Sequence, residues 1–311
     1  MKKIVSVLAV LFIIQGLSAP ALFAQESGDG VAASSEIAMQ VSDIPEIKLG
    51  FTQRFIFPFL QGDNPLTAGN NITLALTGEV SPISLYALAE AVWTPVAFIE
   101  LTAGARIVSG WQLEIFGIKG LNGNGLNLVG ENNESVYEGS PFDSVIWRLK
   151  AGGAFQFDLA AVFPGDWNHV VFKTYHEINY QANSRAKKNQ SWFIESDGGE
   201  NMNGFNYYGN FLLAYQMPLF LNMAGVIAEM NLNLYDAPGR SVWGDDLIRW
   251  TFSGVLGFEF AKHWNIMILA QFMTDRNYKE SNWKDLHYTK RTFDSLYVRY
   301  KRVAAVVTFR F

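Results

Sequence analysis

The chain ends in Val303-Ala304-Ala305-Val306-Val307-Thr308-Phe309-Arg310-Phe311, and this stretch decides the fold class. Apolar side chains occupy every second position, at Val303, Ala305, Val307, Phe309 and Phe311. A period of two places these five on one face of a β-strand and Arg302, Thr308 and Arg310 on the other. A strand with one apolar and one charged face fits a barrel wall between lipid and a polar lumen.

The same alternation recurs along the chain, between clusters of Gly, Asn, Pro and Asp. It is clearest in residues 47–59, 96–109, 144–163 and 170–182, and less regular in 205–217, 222–235, 247–260 and 265–276. Apart from Arg276 at the end of the last segment, no Asp, Glu, Lys or Arg falls on the apolar face of these segments. A Lys or Arg at the bilayer midplane costs ~2–4 kcal/mol, which explains that exclusion. The pattern predicts an all-β fold, a transmembrane antiparallel up-and-down β-barrel.

The number of strands depends on residues 71–93. Glu79 and Glu90 have opposite parity, so one regular strand cannot point both inward. Ser81-Pro82, between them, fits either a hairpin turn or a bulge. A single kinked strand gives about ten strands, an even number, which we expect; about twelve is the alternative, with an extra hairpin in 110–143 or around Ser191–Ile194.

Loop lengths alternate, which sets the predicted orientation. Short connections are Thr94-Pro95, Pro164-Gly165-Asp166, Pro218-Leu219 and Ala261-Lys262-His263, whereas the longer loops are 60–70, 110–143, 183–204, 236–246 and 277–293. Short periplasmic turns and long external loops are typical of outer-membrane barrels, and both termini are then periplasmic. Two aromatic girdles are expected from the tryptophans near strand ends, namely Trp93, Trp167 and Trp264 at short turns and Trp111, Trp147, Trp243, Trp250 and Trp283 at long loops.

The front of the chain resembles an export signal. Lys2-Lys3 precede an apolar run, Ile4 to Ile14, and a small-residue region that ends at Ala24. We therefore expect a signal peptide in 1–24, a flexible periplasmic segment in 25–45 and the barrel in 46–311. The predicted location is the outer membrane of a diderm bacterium after signal cleavage.

Composition excludes several classes of function. The chain has no cysteine, so disulfides, thiolate metal sites and a lipoprotein anchor are excluded. The four histidines are scattered without metal-ligand spacing, and we expect no metal and no cofactor. Removal of 1–24 takes away Lys2 and Lys3 and changes the formal charge from −5 to −7, which argues against nucleic acid as a partner.

The terminal phenylalanine and its alternating neighbours resemble the closing strand of bacterial outer-membrane β-barrels, which their assembly machinery recognises. The resemblance implies that Val303, Ala305, Val307, Phe309 and Phe311 form an assembly signal, with outer-membrane lipids and the barrel assembly machinery as partners. Trp93-Thr94-Pro95-Val96-Ala97-Phe98 and Gly110-Trp111 also resemble treponemal outer-membrane barrels of unassigned function.

The inward face of the predicted strands carries both signs of charge. The lumen-facing candidates are Lys48, Arg54, Glu79, Glu100, Arg106, Arg148, Lys150, Asp158, Lys173, Glu177, Glu229, Arg249, Glu259, Arg302 and Arg310. In a small barrel such side chains nearly meet. They form either a salt-bridge network that fills the lumen, which we expect, or a narrow aqueous path whose charges tune ion preference.

Loop residues offer two further features. Asp285-Leu286-His287 resembles the Asp-x-His pair of the omptin proteases. The second acidic pair of that family is missing: Asp245 and Asp246 are adjacent, so on an extended chain their side chains point in opposite directions. We therefore expect no enzyme. Loop 110–143 is rich in glycine and asparagine. It could fold into the lumen or project outward, and the expectation is a solvated linker.

Three functions remain as hypotheses. The leading one is a small porin-like channel for small polar solutes. The alternative is a closed barrel that acts as a surface binding, adhesion or structural protein through a ligand at its external loops. The third is a surface hydrolase that uses Asp285 and His287.

Overall fold

A computed structural model describes residues 30–311 except 45, 116, 117, 196 and 262, and without the side chains of 114–121. The predicted signal peptide (1–24) and residues 25–29 lie outside the described residues. Twelve antiparallel strands in the described part form a closed barrel. Its strands are β1 (Ala32–Ser42), β2 (Glu46–Pro58), β3 (Asn71–Val80), β4 (Ser84–Val96), β5 (Ile99–Gly110), β10 (Ile146–Asp158), β11 (Val170–Asn183), β13 (Gly204–Gln216), β14 (Leu221–Asn233), β15 (Arg249–Ala261), β16 (Trp264–Tyr278) and β17 (Phe293–Arg310).

Five short strands lie outside the barrel, in its loops. They are β6 (Gln112–Ile115), β7 (Ile118–Asn122), β8 (Asn124–Val129), β9 (Ser135–Glu138) and β12 (Ser191–Ile194). β6 pairs with β7, and β12, β8 and β9 form a three-stranded sheet. Among the described residues, no helix has the length and hydropathy that a membrane span requires.

The predicted barrel is confirmed, but ten strands is wrong and the alternative of twelve is confirmed. One additional strand is β1, which lies in the segment expected to be flexible, 25–45. β1 pairs with β2 on one side and with β17 on the other, so it closes the barrel. Its only large apolar side chains on the outward face are Ile37, Met39 and Val41, and for this reason the alternation is weak in the sequence. Backbone pairing on both edges stabilises it instead.

The other additional strand comes from residues 71–93, which form β3 and β4 rather than one kinked strand. Ser81 N–H donates to Ser84 O at 2.9 Å, and the two hydroxyls are 2.7 Å apart, which closes a tight turn around Pro82. Glu79 and Glu90 therefore both face inward despite their opposite parity. The short strands in 110–143 and near Ser191 do not belong to the barrel, because β8 pairs with β9 and with β12 instead of with a barrel strand.

The two ends of the barrel differ. One end, named here the terminal end, holds Ala32, His263, Phe311 and the connections 59–70, 97–98, 159–169 and 217–220. The other end, the loop end, holds the described parts of loops 111–145 and 184–203, the loops 234–248 and 279–292, and the turns 43–44 and 81–83. Grouping 60–70 with the other long loops is wrong: because β1 precedes β2, this loop lies at the same end of the barrel as the termini.

Inward and outward side chains alternate along the barrel strands, with an interruption in β17, where the consecutive Lys301 and Arg302 are both buried. In β2, for example, Lys48 and Thr52 are buried whereas Leu49 and Phe51 are exposed. The outward face is a continuous apolar belt far larger than a soluble monomer exposes. Trp264 packs on Phe309 at 4.8 Å at the terminal end, and Trp147 stacks on Tyr180 at 5.3 Å near the loop end. Trp243 does not join a girdle, because it is buried among the loops.

Candidate functional site

Charged side chains line one wall of the lumen densely, whereas the facing wall combines an apolar cluster with buried polar groups such as Glu229, Gln271 and Arg302. Strands β2, β4, β5, β10 and β11 direct mainly charged and polar groups inward, and we call them the charged wall. On the other side, β13 to β17 and β1 direct a buried apolar cluster inward: Ala38, Leu212, Ala214, Met223, Ile227, Val255, Leu269 and Val306. Open space is left between the charged wall and this apolar cluster, and Leu212 and Ile227 of the cluster line it.

A cavity of about 710 Å³ follows the charged wall. Pro65, Ala68 and Ala97 line it at the terminal end, and Trp192 and Asp197 line it at the loop end. Of the lumen-facing candidates, eight line this cavity: Arg54, Glu100, Arg106, Arg148, Lys150, Lys173, Glu177 and Arg249. Glu90 and Lys301, which were not among the lumen-facing candidates, line it too.

Ion pairs connect neighbouring strands of the charged wall. Lys150 pairs with Glu90 and lies 3.8 Å from Glu177, and Lys173 pairs with Glu100 at 2.7 Å. Gly104 lies opposite Lys150 in the register, and a β-carbon there would come within 2.9 Å of the lysine Cε. A glycine at this position leaves room for the lysine side chain to lie along the wall.

The remaining candidates lie outside the cavity. Glu36, on the unexpected strand β1, accepts from Arg310 at 2.8 Å and from Arg54 at 3.3 Å, and so links β17 to β2 across the closing seam. Arg302 pairs with Glu46 at 2.8 Å, and Glu229 accepts from the Tyr208 hydroxyl at 2.9 Å. Asp158 and Glu259 lie near the terminal end, where Asp158 contacts His169 at 2.7 Å and Glu259 is exposed.

A cap covers the cavity at the loop end. We use this name for β8, β9 and β12 together with the described part of 195–203. Leu126, Trp192 and Ile194 of the cap pack in one cluster with the inward-facing Tyr86, Val108 and Ile146 of the wall. Glu200 of the cap pairs with Arg276 on β16, on the opposite side of the barrel. The cap therefore spans the mouth, and the solvated linker expected in 110–143 is wrong for β8 and β9.

One buried ion pair holds the cap to the inside of the wall. Lys48 on β2 lies 2.9 Å from the carboxylate of Glu195, which also accepts from the Ser84 hydroxyl. Burial raises the pKa of Glu195, but Lys48 and the hydroxyls of Ser84 and Ser81 outweigh burial and leave this pKa below its usual value. The carboxylate is therefore ionised at neutral pH, and we name this contact the latch.

His287 joins loop 279–292 to the cap. Its Nε2 lies 3.1 Å from the Ser191 hydroxyl and 3.3 Å from Asn127 O, and its backbone N–H donates to Asn133 O at 2.6 Å. Burial lowers the pKa of His287 to about 4, so the ring is neutral. No hydrogen bond between Asp285 and His287 exists in the described part of the chain. The geometry thus gives His287 a packing role rather than the omptin-like role considered from the sequence.

An apolar belt outside, a polar lumen inside and closure without free edges satisfy the requirements for spanning a bilayer with strands. The chain has the architecture of a bacterial outer-membrane β-barrel. No family model and no curated protein matches it.

Solved structures with a similar arrangement are themselves barrels of bacterial origin. The KdgM porin has 10% identity and a TM-score of 0.36, with 89% of this chain and 99% of that chain covered. The β domain of the Bordetella autotransporter BrkA has 9% identity and a TM-score of 0.39, with 90% and 99% covered. The translocator domain of NalP from Neisseria meningitidis has 14% identity and a TM-score of 0.35, with 97% of both chains covered. Similarity at this level carries no function over to this chain.

Proposed function

We propose that the protein is a small porin-like channel for small polar solutes whose loop-end mouth is closed by the cap. The cavity beside the charged wall carries this proposal, because it runs from the terminal end to the underside of the cap and is lined by charged and amide side chains. A barrel with a purely structural lumen has no need to leave about 710 Å³ of space along such a wall.

Opening requires that the cap moves away from the mouth. Its attachments are the apolar cluster with Tyr86, Val108 and Ile146, the latch, the Glu200–Arg276 pair and the contacts of His287. The barrel wall, in contrast, is held by continuous strand pairing. The cap can therefore loosen without unfolding the barrel. In this state the solute would enter from the loop end and pass along the charged wall.

Single-channel recording in planar bilayers tests the proposal on the refolded chain from residue 25, the proposed mature start. We expect unitary steps in the wild type and a higher open probability in Glu195→Gln, which removes the charge of the latch. Glu138→Gln is the matched control, because Glu138 is an exposed carboxylate on β9 that pairs with Arg185. A third variant replaces 187–202 with a glycine-serine linker. A folded barrel that stays silent in all four forms would overturn the channel.

A closed barrel that binds a surface partner is the second candidate. The observation that favours it is the outer side of the cap, where Val136 and Tyr137 of β9 and Phe142 are exposed. A silent barrel whose partner binding depends on these residues would support this candidate over the channel.

A further inference from the structure

Two arginines lie directly opposite each other on the charged wall. Arg106 on β5 and Arg148 on β10 are register partners, and both side chains line the cavity. Facing residues of an antiparallel pair have β-carbons about 5 Å apart, and like charges in that position destabilise the sheet. A wall that keeps this pair needs negative charge close to it.

The carboxylates of the protein do not fully supply that charge. Arg148 pairs with Glu177, but Glu177 also accepts from the Tyr175 hydroxyl at 2.7 Å and from Asn179 at 3.0 Å, and it lies 3.8 Å from Lys150. One carboxylate thus serves several donors.

Arg106 has no ion pair with any carboxylate in the described part of the chain. Its guanidinium lies 5.7 Å from the centre of the Tyr86 ring, and Glu79 and Glu177 act on it only at longer range. Arg106 is 93% buried, since 7% of it is exposed. Its Nη1 and the Nε of Arg148 are both buried without a hydrogen-bond partner. Unpaired buried donors of charged groups are costly, and a bound acceptor would remove that cost.

Positive charge also predominates in the lining of the whole cavity. Seven cationic side chains line it (Arg54, Arg106, Arg148, Lys150, Lys173, Arg249 and Lys301), against four acidic ones (Glu90, Glu100, Glu177 and Asp197). This surplus of three cations occurs in a chain of net charge −5. The cations are therefore concentrated where a solute would pass.

We propose that Arg106 and Arg148 form a binding site for the oxyanion group, carboxylate or phosphate, of a small solute. Guanidinium groups bind planar and tetrahedral oxyanions through paired N–H donors, which an ammonium group cannot arrange in the same fixed geometry. The site faces the lumen, so a free solute reaches it and a lipid headgroup does not. The inference deepens the proposed channel by giving it a solute class, but binding can be measured without conduction.

Calorimetric titration of the folded barrel in detergent tests the site, with citrate as the carboxylate probe and inorganic phosphate as the other. We expect Arg106→Gln to weaken binding of the preferred probe about tenfold, since a hydrogen bond to a charged group is lost. Arg106→Lys, which keeps the charge, should recover only part of the affinity. Arg299→Gln is the matched control, because Arg299 pairs with Asp275 outside the cavity. Heat-modified gel migration verifies folding of each variant.

The outcomes separate this site from the channel. Binding that Arg106→Gln weakens, in a barrel that is silent in bilayers, supports the site and overturns the channel. Unitary steps in a barrel that binds neither probe at millimolar concentration overturn the site and leave the channel standing. Equal affinity of the wild type and Arg106→Gln also overturns the site. A preference for citrate over phosphate, or the reverse, identifies the oxyanion.

Discussion

Glu195 adopts an unusual backbone conformation, with φ of 50°, at the point where the cap enters the lumen. Residues other than glycine and asparagine rarely have a positive φ, and holding such a residue there costs about 1–3 kcal/mol. The ion pair with Lys48 and the hydrogen bond from Ser84 offset that cost. No sequence pattern predicts such a contact, because Lys48 and Glu195 come together only after the barrel and the cap have folded.

Two buried titratable groups in and around the cap have opposite effects on how the stability of the closed cap depends on pH. Burial raises the pKa of Asp197 to about 7 from 3.8, so between these values the closed cap keeps a proton that the open cap releases. Burial lowers the pKa of His287 to about 4 from 6.5, so the open cap takes up a proton that the closed cap lacks. Opening is therefore favoured by rising pH through Asp197 and by falling pH through His287.

The wild-type cap should accordingly show little pH dependence between about pH 4 and 6.5, where the two effects oppose each other. In His287→Gln only the aspartate effect remains, so cap opening should increase as pH rises towards 7, by at most about tenfold per unit. Hydrogen exchange of β8 and β12 amides, corrected for intrinsic rates, measures this. His263→Gln, at the terminal end, serves as control. A flat profile in His287→Gln would contradict the assignment.

Asp197→Asn should reveal the opposite slope. Without the aspartate, His287 sets the slope, so the closed cap is fully stable above pH 6.5 and opens increasingly as the pH falls towards about 4, where loss of the Glu195 charge acts in the same direction. The same exchange measurement applies, and the slope again stays within about tenfold per pH unit. Opening that still increases with rising pH in this variant would show that a different acid is responsible.

At the scale of the strand, alternation predicted most of the wall but missed β1, the division of 71–93 into β3 and β4, and the strands of the cap. Outward apolar residues at every second position gave the approximate positions of β2, β5, β10, β11 and β13 to β17, because lipid excludes charge from that face. β1 has small residues at its first outward positions, Ala33 and Ser35, so its signal was lost. The cap strands lie in loops and pair across long sequence distances, which periodicity cannot reveal.

The role of β1 in closure can be tested through Glu36, which receives hydrogen bonds from Arg310 and Arg54 on its two neighbouring strands. Glu36→Gln removes the charge from both contacts, and we expect it to lower the free energy of unfolding by about 2 kcal/mol. Urea unfolding in detergent provides the measurement. Glu259→Gln is the control, because Glu259 is exposed near the terminal end. Equal stability of the Glu36 variant and wild type would argue that the seam is held by backbone pairing alone.

For the whole molecule, the width of the conduit follows from how the lumen is divided. The apolar cluster narrows the lumen from one side, so the passage lies between this cluster and the charged wall. The alternation in the sequence predicted that the charged residues face inward. It did not predict that the apolar cluster lies opposite the charged wall, because this depends on which strands face each other across the barrel. Ile227 lies at the boundary, since it belongs to the apolar cluster and also lines the cavity.

Ile227→Ala should therefore enlarge the passage and destabilise the barrel together. Truncating a buried isoleucine costs about 2–5 kcal/mol, with the lower end expected where water can enter the new space. We expect a larger unitary conductance in bilayers and a lower urea midpoint. Val226→Ala is the matched control, because Val226 is the preceding residue on β14 and faces outward with 59% of its surface exposed. If both variants conduct as the wild type does, Ile227 does not bound the path; if Val226→Ala alone raises conductance, the assignment of the two faces of β14 is reversed.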